Sequence, residues 1–310
     1  MLRVRTVHDA ADFVGESGLA PDLIQDLWDS GDSRPDWCFV AEADNQRVGR
    51  LGLQVSPTTS DPAWLGTLPS HEASVYGLPL PVAPEVGRHL FAHAAAEVGE
   101  RLPPTLELRL NTAYRDDARG LATIAEGWGF TLFQEKQGFE WKDDGREIDV
   151  PGRLEFRSVD ETGIETYRSV MARCGAGTLD RNDRYYWDGC GPENWGRQMS
   201  EYLDPEDASL WLLGYAGADA VGYVAVVRDE ELVATIAHIG VVPEHRGNGY
   251  VGDLLAAATE VARRAGLARM LSDVDVLNLP MAAAMRRAGH HDHPDWHVWA
   301  YRASWPEAFT

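Results

Sequence analysis

Residues 238–251 read HIGVVPEHRGNGYV. An apolar, β-like run stops at Pro243, two glycines flank Asn248, and an amphipathic periodicity starts at Tyr250. A glycine-containing turn after a strand directs successive backbone N–H groups inward and forms an anion-binding nest. The first turn of the following helix adds its own unpaired N–H groups and the positive end of its dipole. Gly247 and Gly249 let the main chain come close to a bulky anion and take up positive φ. Arg246 adds a charged fork suited to phosphate oxygens. The stretch Arg246–Gly252 therefore reads as a cradle for a diphosphate, with a plain connecting turn as the alternative. The GxGxxG order of a dinucleotide fold is absent, and no GK followed by Ser or Thr marks a Walker loop.

The elements needed to position this loop recur twice. In the second half, 153–159 alternates as a strand, and 160–173 reads as a helix with Asp160 as N-cap. An aromatic stretch, RNDRYYWDGCGPENWGRQMSEYL, follows. Strands are expected at 210–215, 220–228 and 231–242, then a helix over 250–265, a strand at 268–274, a helix at 280–288 and a last strand at 296–302. The first half has the same order. Strands are expected at 3–7, 37–43, 47–55, 71–82 and 106–110, with helices over 22–28, 84–101 and 116–127. A closing hairpin joins 129–135 to 138–142. The polar segment 141–153, WKDDGREIDVPGR, reads as a linker. The architecture is thus mixed α/β (α+β), with two copies of one unit spanning 1–145 and 152–310.

Composition narrows the classes of function. Asp and Glu number 49 against 28 Lys and Arg, a formal net charge of −21. Such a field repels phosphate backbones and anionic membranes, and it either favours a cationic substrate or serves only to keep the protein soluble. No apolar run is long enough for a membrane span, and the N-terminus lacks a signal-peptide pattern, so a cytoplasmic protein is expected. Cys38, Cys174 and Cys190 stand far apart and form neither a disulfide framework nor a zinc motif. They read as reduced thiols, with Cys190 the most exposed. The histidine-rich stretch HHDHPDWH fits no structural zinc spacing, and no metal is expected. Glu230, Glu231, Asp273 and Asp275, near strand ends, read as solvated carboxylates.

Residues 154–303 resemble a GNAT-superfamily N-acetyltransferase domain. The phrase VVPEHRGNGYVGDLL is similar to that family's R/Q-x-x-G-x-G/A signature preceded by V-x-P, with Arg246 first and Gly249 central. Val251 replaces the final Gly/Ala. LNLPMAAAMRRAGH resembles the N-x-x-A…GF segment, with Asn278 opening the helix 32 residues after Arg246. The resemblance implies two tandem GNAT-like acyl-CoA N-acyltransferase domains, each a mostly antiparallel sheet flanked by helices. It implies acetyl-CoA as cosubstrate, with pantetheine along the backbone of Ile239, Gly240, Val241 and Val242. The diphosphate would lie on the main chain of Arg246, Gly247, Asn248, Gly249, Tyr250 and Val251, and Asn278 near the thiol or simply capping its helix. In the first half LPLPVAPEVGRHLF stands in place of the signature, and Pro81 and Pro84 remove two N–H donors. That half is expected to be degenerate and to bind the cofactor poorly.

Direct acetyl transfer to an amine needs a base and a donor for the leaving thiolate. His238, eight residues before Arg246, is the candidate base, or else a histidine packed on a sheet face. Met285 occupies the place where this family usually carries a tyrosine acid, so Tyr250, Tyr185, Tyr186 or water would have to serve. Tyr185, Tyr186, Trp187 and Trp195 fall where the family lines its acceptor cleft, with Asp183 or Asp188 to hold a positive charge. The same aromatics could instead cement the two halves. The expected activity is transfer of acetyl to the primary amine of a small molecule such as an antibiotic or amino acid. The alternative is a non-catalytic acetyl-CoA-binding or scaffold protein of the same fold. Neither nucleic acid nor membrane is an expected partner, and the protein is expected to be a monomer or homodimer.

Overall fold

The computed structural model describes residues 2–15, 21–31, 33–55, 72–76, 84–99, 107–111, 123, 125–126, 130–201, 203, 205–230 and 232–302. The chain divides into two compact units, one of residues 1–133 with 297–310 and one of residues 134–296. The sequence placed the boundary later, in the polar segment 141–153. The last strand among the described residues, by its residues 298–302, belongs to the first unit, and residues 134–142 belong to the second.

The first unit is built on β1 (Leu2–Thr6), α1 (Ala10–Val14), α2 (Pro21–Asp29), β2 (Cys38–Ala43), β3 (Gln46–Val55), β4 (Glu72–Tyr76), α3 (Pro84–Gly99) and β5 (Glu107–Asn111). Strands β1 to β4 form an antiparallel meander. β4 and β5 then run parallel, and β5 pairs antiparallel with residues 298–302. Asp44 and Asn45 turn the β2–β3 hairpin with φ of 51° and 62°, the backbone that matches strand twist in a two-residue turn. Phe13, Ile24, Phe39, Leu51 and Leu90 are fully buried in this unit. The loop expected to have lost its anion site, 78–83, and most of the expected 116–127 helix lie outside the described residues.

The second unit begins in β6 (Thr131–Lys142). Gly138 does not turn a hairpin there, as its spacing suggested, because β6 is one continuous strand. A Cβ at Gly138 would stand 2.4 Å from the Pro294 carbonyl, so the glycine serves close strand approach rather than a turn. Next come β7 (Glu155–Ser158), α4 (Val159–Thr162), α5 (Ile164–Gly175), α6 (Arg181–Cys190) and α7 (Pro192–Glu201). The expected helix over 160–173 is broken at Gly163, φ 80°, and its N-cap is Ser158, which forms a capping box with Glu161. The chain continues through β8 (Trp211–Ala216), β9 (Asp219–Glu230), β10 (Val233–Val241), α8 (Tyr250–Arg264), β11 (Arg269–Asp275), α9 (Leu279–Arg287) and β12 (His291–Arg302). In this unit the strands lie in the order β12-β6-β11-β10-β9-β8-β7. The pairs are antiparallel from β7 to β10, β10–β11 is parallel, and β11–β6 is antiparallel. Among the described residues, no helix is long and apolar enough to cross a membrane.

Residues 143–153 form neither helix nor strand, but they are part of this unit rather than a free linker. Together with α8 and α9 they line a cavity of about 710 Å³.

Candidate functional site

The parallel strands β10 and β11 pair over only Val233–Thr235 and Arg269–Leu271. Past Thr235 each keeps its outer partner, β9 for β10 and β6 for β11, and loses the inner one. A bulge between Ile236 and His238 marks the divergence and bends the strand there. Val242 N–H donates to the Val221 carbonyl at 3.0 Å. Backbone groups alternate in direction along a strand, so Ile239 and Val241 direct theirs to the open edge. Gly240 is fixed by crowding, since a Cβ there would lie 2.9 Å from both Cys174 Cβ and the Tyr223 ring. The cavity at this edge measures about 530 Å³, and its lining includes Ile239, Val241, Gly247, Gly249, Tyr250 and Asn278.

One end of the cavity is the loop into α8. Gly247 has φ 82°, and Gly249, the N-cap of α8, sits in the left-handed region at φ 78° with no side-chain cap. Both positions require glycine for that reason. Among the described residues, the N–H groups of Gly247, Asn248, Gly249, Tyr250 and Val251 have no hydrogen-bond acceptor. Asn248 stiffens the turn through Nδ2, which donates to the His245 carbonyl at 3.0 Å. Arg246 corrects the sequence expectation. Its side chain is not free to fork a phosphate, because its donors go to four carbonyls. Nε donates to Val241 at 3.0 Å, Nη1 to Gly177 at 3.1 Å, and Nη2 to Cys174 and Ala176 at 2.8 Å each. It ties the loop to the C-terminal end of α5, where helix carbonyls lack internal partners. From the other side Arg153 donates to the carbonyls of Asn248 and Gly249 at 3.1 and 3.3 Å.

Asn278 caps its helix, one of the two readings the sequence offered. Its Oδ1 accepts from Met281 N–H at 3.3 Å as the N-cap of α9, and it lines the cavity. Met285 is buried on α9, with the Ser272 hydroxyl 3.8 Å from its sulfur, and supplies no proton. Tyr250 does line the cavity, with His245 6.3 Å away ring to ring.

The aromatic stretch divides into α6 and α7, and its residues separate. Tyr185 and Tyr186 are buried and meet edge to face at 5.3 Å. Trp187 turns to α5, where Nε1 donates to the Ala172 carbonyl at 2.8 Å. Asp188 is exposed. Trp195 is buried and stands edge-on to His238 at 5.9 Å. None of these five lines the 530 Å³ cavity, and Trp187 lines a separate cavity of about 800 Å³ with Arg168, Arg173 and Arg197. Cys190, expected to be exposed, is buried.

His238 sits beside a charged cluster that the sequence reading missed. Lys136 on β6 lies 2.7 Å from Asp273 and 3.3 Å from Asp180. Burial alone would lower its pKa, but these carboxylates outweigh burial and hold it above the usual lysine value. Burial first, and then the Lys136 charge, push His238 down to about 4. Asp183 is held well above the usual carboxylate range by burial and by Asp180. Asp275 is not solvated, as its position near a strand end suggested. Its side chain is fully buried and accepts from Arg181 Nε at 3.0 Å and Gln134 Nε2 at 3.0 Å. Glu231 lies outside the described residues.

Residues 181–290 match the model of the Acetyltransferase (GNAT) family. No protein of curated function matches the chain. Several solved structures share its fold. A GCN5-related N-acetyltransferase from Sphaerobacter thermophilus is 17% identical with a TM-score of 0.64, covering 97% of this chain and 96% of its own. A tandem GNAT protein from the clavulanic acid biosynthesis pathway is 17% identical with a TM-score of 0.57, covering 99% and 100%. A GCN5-related N-acetyltransferase from Kribbella flavida is 14% identical with a TM-score of 0.56, covering 82% and 87%.

Proposed function

We propose, from the match of residues 181–290 to the GNAT acetyltransferase family model and from the fold shared with a tandem GNAT protein, that the protein transfers acetyl from acetyl-CoA to the primary amine of a small molecule. The observation that carries this reading is the run of five unpaired N–H groups, Gly247 to Val251, at the mouth of an open strand edge. Unpaired N–H donors at a helix N-terminus suit a diphosphate. The open-edge backbone of Ile239 and the N–H of Val241, whose carbonyl is held by Arg246, suit the amides of a pantetheine arm, which would lie along β10 as an added strand.

The chemistry is attack of the amine nitrogen on the thioester carbonyl, with loss of the C–S bond and protonation of the thiolate. The acceptor must reach the carbonyl as a free amine. His238 is neutral at pH 7, but a pKa near 4 makes it a weak proton acceptor, far from the value that suits a base at that pH. Its place at the cluster of Lys136, Asp180 and Asp273 suits relay of the amine proton to solvent rather than storage of it. Tyr250 is the phenol that lines the cavity among the described residues, and it takes the role of thiolate donor left open by Met285. A second reading, an acetyl-CoA-binding protein without catalysis, is favoured by the buried thioether at Met285. The first unit, in both readings, binds no cofactor.

Calorimetric titration with acetyl-CoA tests the proposal. Binding of one equivalent per chain, lost in Gly249→Trp, is the expected result. That side chain would have to occupy a left-handed N-cap, with its Cβ 3.4 Å from Arg153. Two equivalents would refute the inactive first unit, and no binding at millimolar ligand would refute the acetyl-CoA reading altogether. Acetylation of an amine panel then separates enzyme from sensor.

A further inference from the structure

Arg153 lies outside every motif, at the end of the irregular segment 143–153. Its guanidinium grips one carboxylate and two carbonyls. Nε donates to Asp253 Oδ2 at 3.0 Å, and Nη2 pairs with the other oxygen of the same carboxylate. Nη1 donates to the Asn248 carbonyl at 3.1 Å and Nη2 to the Gly249 carbonyl at 3.3 Å. Asp253, in the first turn of α8, is 1% exposed.

Two physical consequences follow from this grip. The peptide group is planar and trans, so a carbonyl and the N–H of the next residue point in opposite directions. Holding the carbonyls of Asn248 and Gly249 therefore fixes the aim of the N–H groups of Gly249 and Tyr250, two of the loop's five unpaired donors. The second consequence concerns charge. A carboxylate in the first turn of a helix occupies the positive pole that an incoming anion needs. Unpaired, Asp253 would oppose a diphosphate at its own binding end. Paired in a bidentate fork with Arg153, its charge is cancelled locally.

We infer that Arg153 is a positioning residue for the diphosphate of the cofactor, aiming the N–H groups of Gly249 and Tyr250 and cancelling the charge of Asp253. This rests on the acetyl-CoA reading above. It also ties the end of the 143–153 segment to the state of the loop, so that whatever disturbs that segment loosens the loop.

The test has two arms. In ligand-free protein, amide hydrogen exchange at Gly252, whose N–H donates to the Arg153-held Gly249 carbonyl at 3.0 Å, is compared between wild type and Arg153→Gln. Exchange faster by about tenfold or more is expected, since a held amide becomes a mobile one. In the second arm, acetyl-CoA and acetylpantetheine, which lacks the diphosphate, are titrated against wild type, Arg153→Gln, Arg153→Lys and Arg153→Gln/Asp253→Asn. Arg153→Gln is expected to weaken acetyl-CoA by about tenfold and acetylpantetheine by less than about twofold, for loss of a charge-assisted clamp. Lysine keeps the charge without the fork and falls between. The double variant recovers part of the loss and keeps a folded reference, because its buried site holds no unpaired charge. Wild-type exchange rates in Arg153→Gln, or equal weakening of both ligands, would overturn the inference. If wild type binds no acetyl-CoA, the functional reading and the diphosphate role fall together, while the exchange arm alone still decides whether Arg153 holds the loop.

Discussion

Arg246 shows how a side chain can serve an anion site without touching the anion. Its donors end on the carbonyls of Val241, Cys174, Ala176 and Gly177, which leaves the N–H groups after it as the loop's positive face. Arg246→Lys cannot reproduce a planar fork that spans two elements. We expect both Arg246→Ala and Arg246→Lys to weaken acetyl-CoA by about tenfold or more, and calorimetry on the two variants checks it. A lysine that restored binding would return Arg246 to the phosphate-contacting role its position in the signature suggested. The glycines of this loop were legible in the sequence, because positive φ restricts the residue type. The arginine contacts were not, because a carbonyl belongs to every residue and leaves no mark on composition. Lys136 and Arg153 escaped for a related reason. They reach the site from distant parts of the chain, and nothing local to either one records the partner.

Elements carry a different kind of legibility. The meander, the helix after the loop and the strand-helix pair that ends the domain were readable from period alone, while β6 was not. Gly138 and the charges around it look like a turn, and only the approach of the Pro294 carbonyl reveals a strand. At the junction of α9 and β12 lies His290, 1% exposed and, among the described residues, without a hydrogen-bond partner at either ring nitrogen. Burial first, and then His291, lower its pKa from 6.5 to about 4. A histidine with a depressed folded pKa leaves the unfolded chain to bind the extra proton between those values. Stability is therefore fully present above pH 6.5 and is lost as pH falls toward 4, by about 3 kcal/mol for a shift of this size. His290→Leu is expected to flatten the dependence of the urea midpoint on pH between 6.5 and 4. His238, lowered in the same sense, retains a slope of its own. An unchanged pH dependence in His290→Leu would show that His290 takes up its proton without opening the fold.

For the molecule as a whole, the division into 1–133 with 297–310 and 134–296 decides which pieces can stand alone. A fragment of residues 134–296 contains every strand of its sheet, including the residues of β6 that flank β11. A fragment of 152–310, cut where the sequence suggested a linker, lacks them and leaves β11 with an open edge. We expect 134–296 to be soluble, with a cooperative melt and acetyl-CoA affinity within about threefold of the full chain. We expect 152–310 to aggregate, and expression of both, followed by thermal melts, separates the cases. The same strand exchange has a meaning in time. β5 ends at Asn111, and its partner runs to Arg302. At about 5–20 residues per second on the ribosome, the first unit waits roughly 10–40 seconds for its missing edge. In that interval β5 offers a bare row of amides and carbonyls to any neighbouring chain, so the order of synthesis leaves the first part made to be the last part finished.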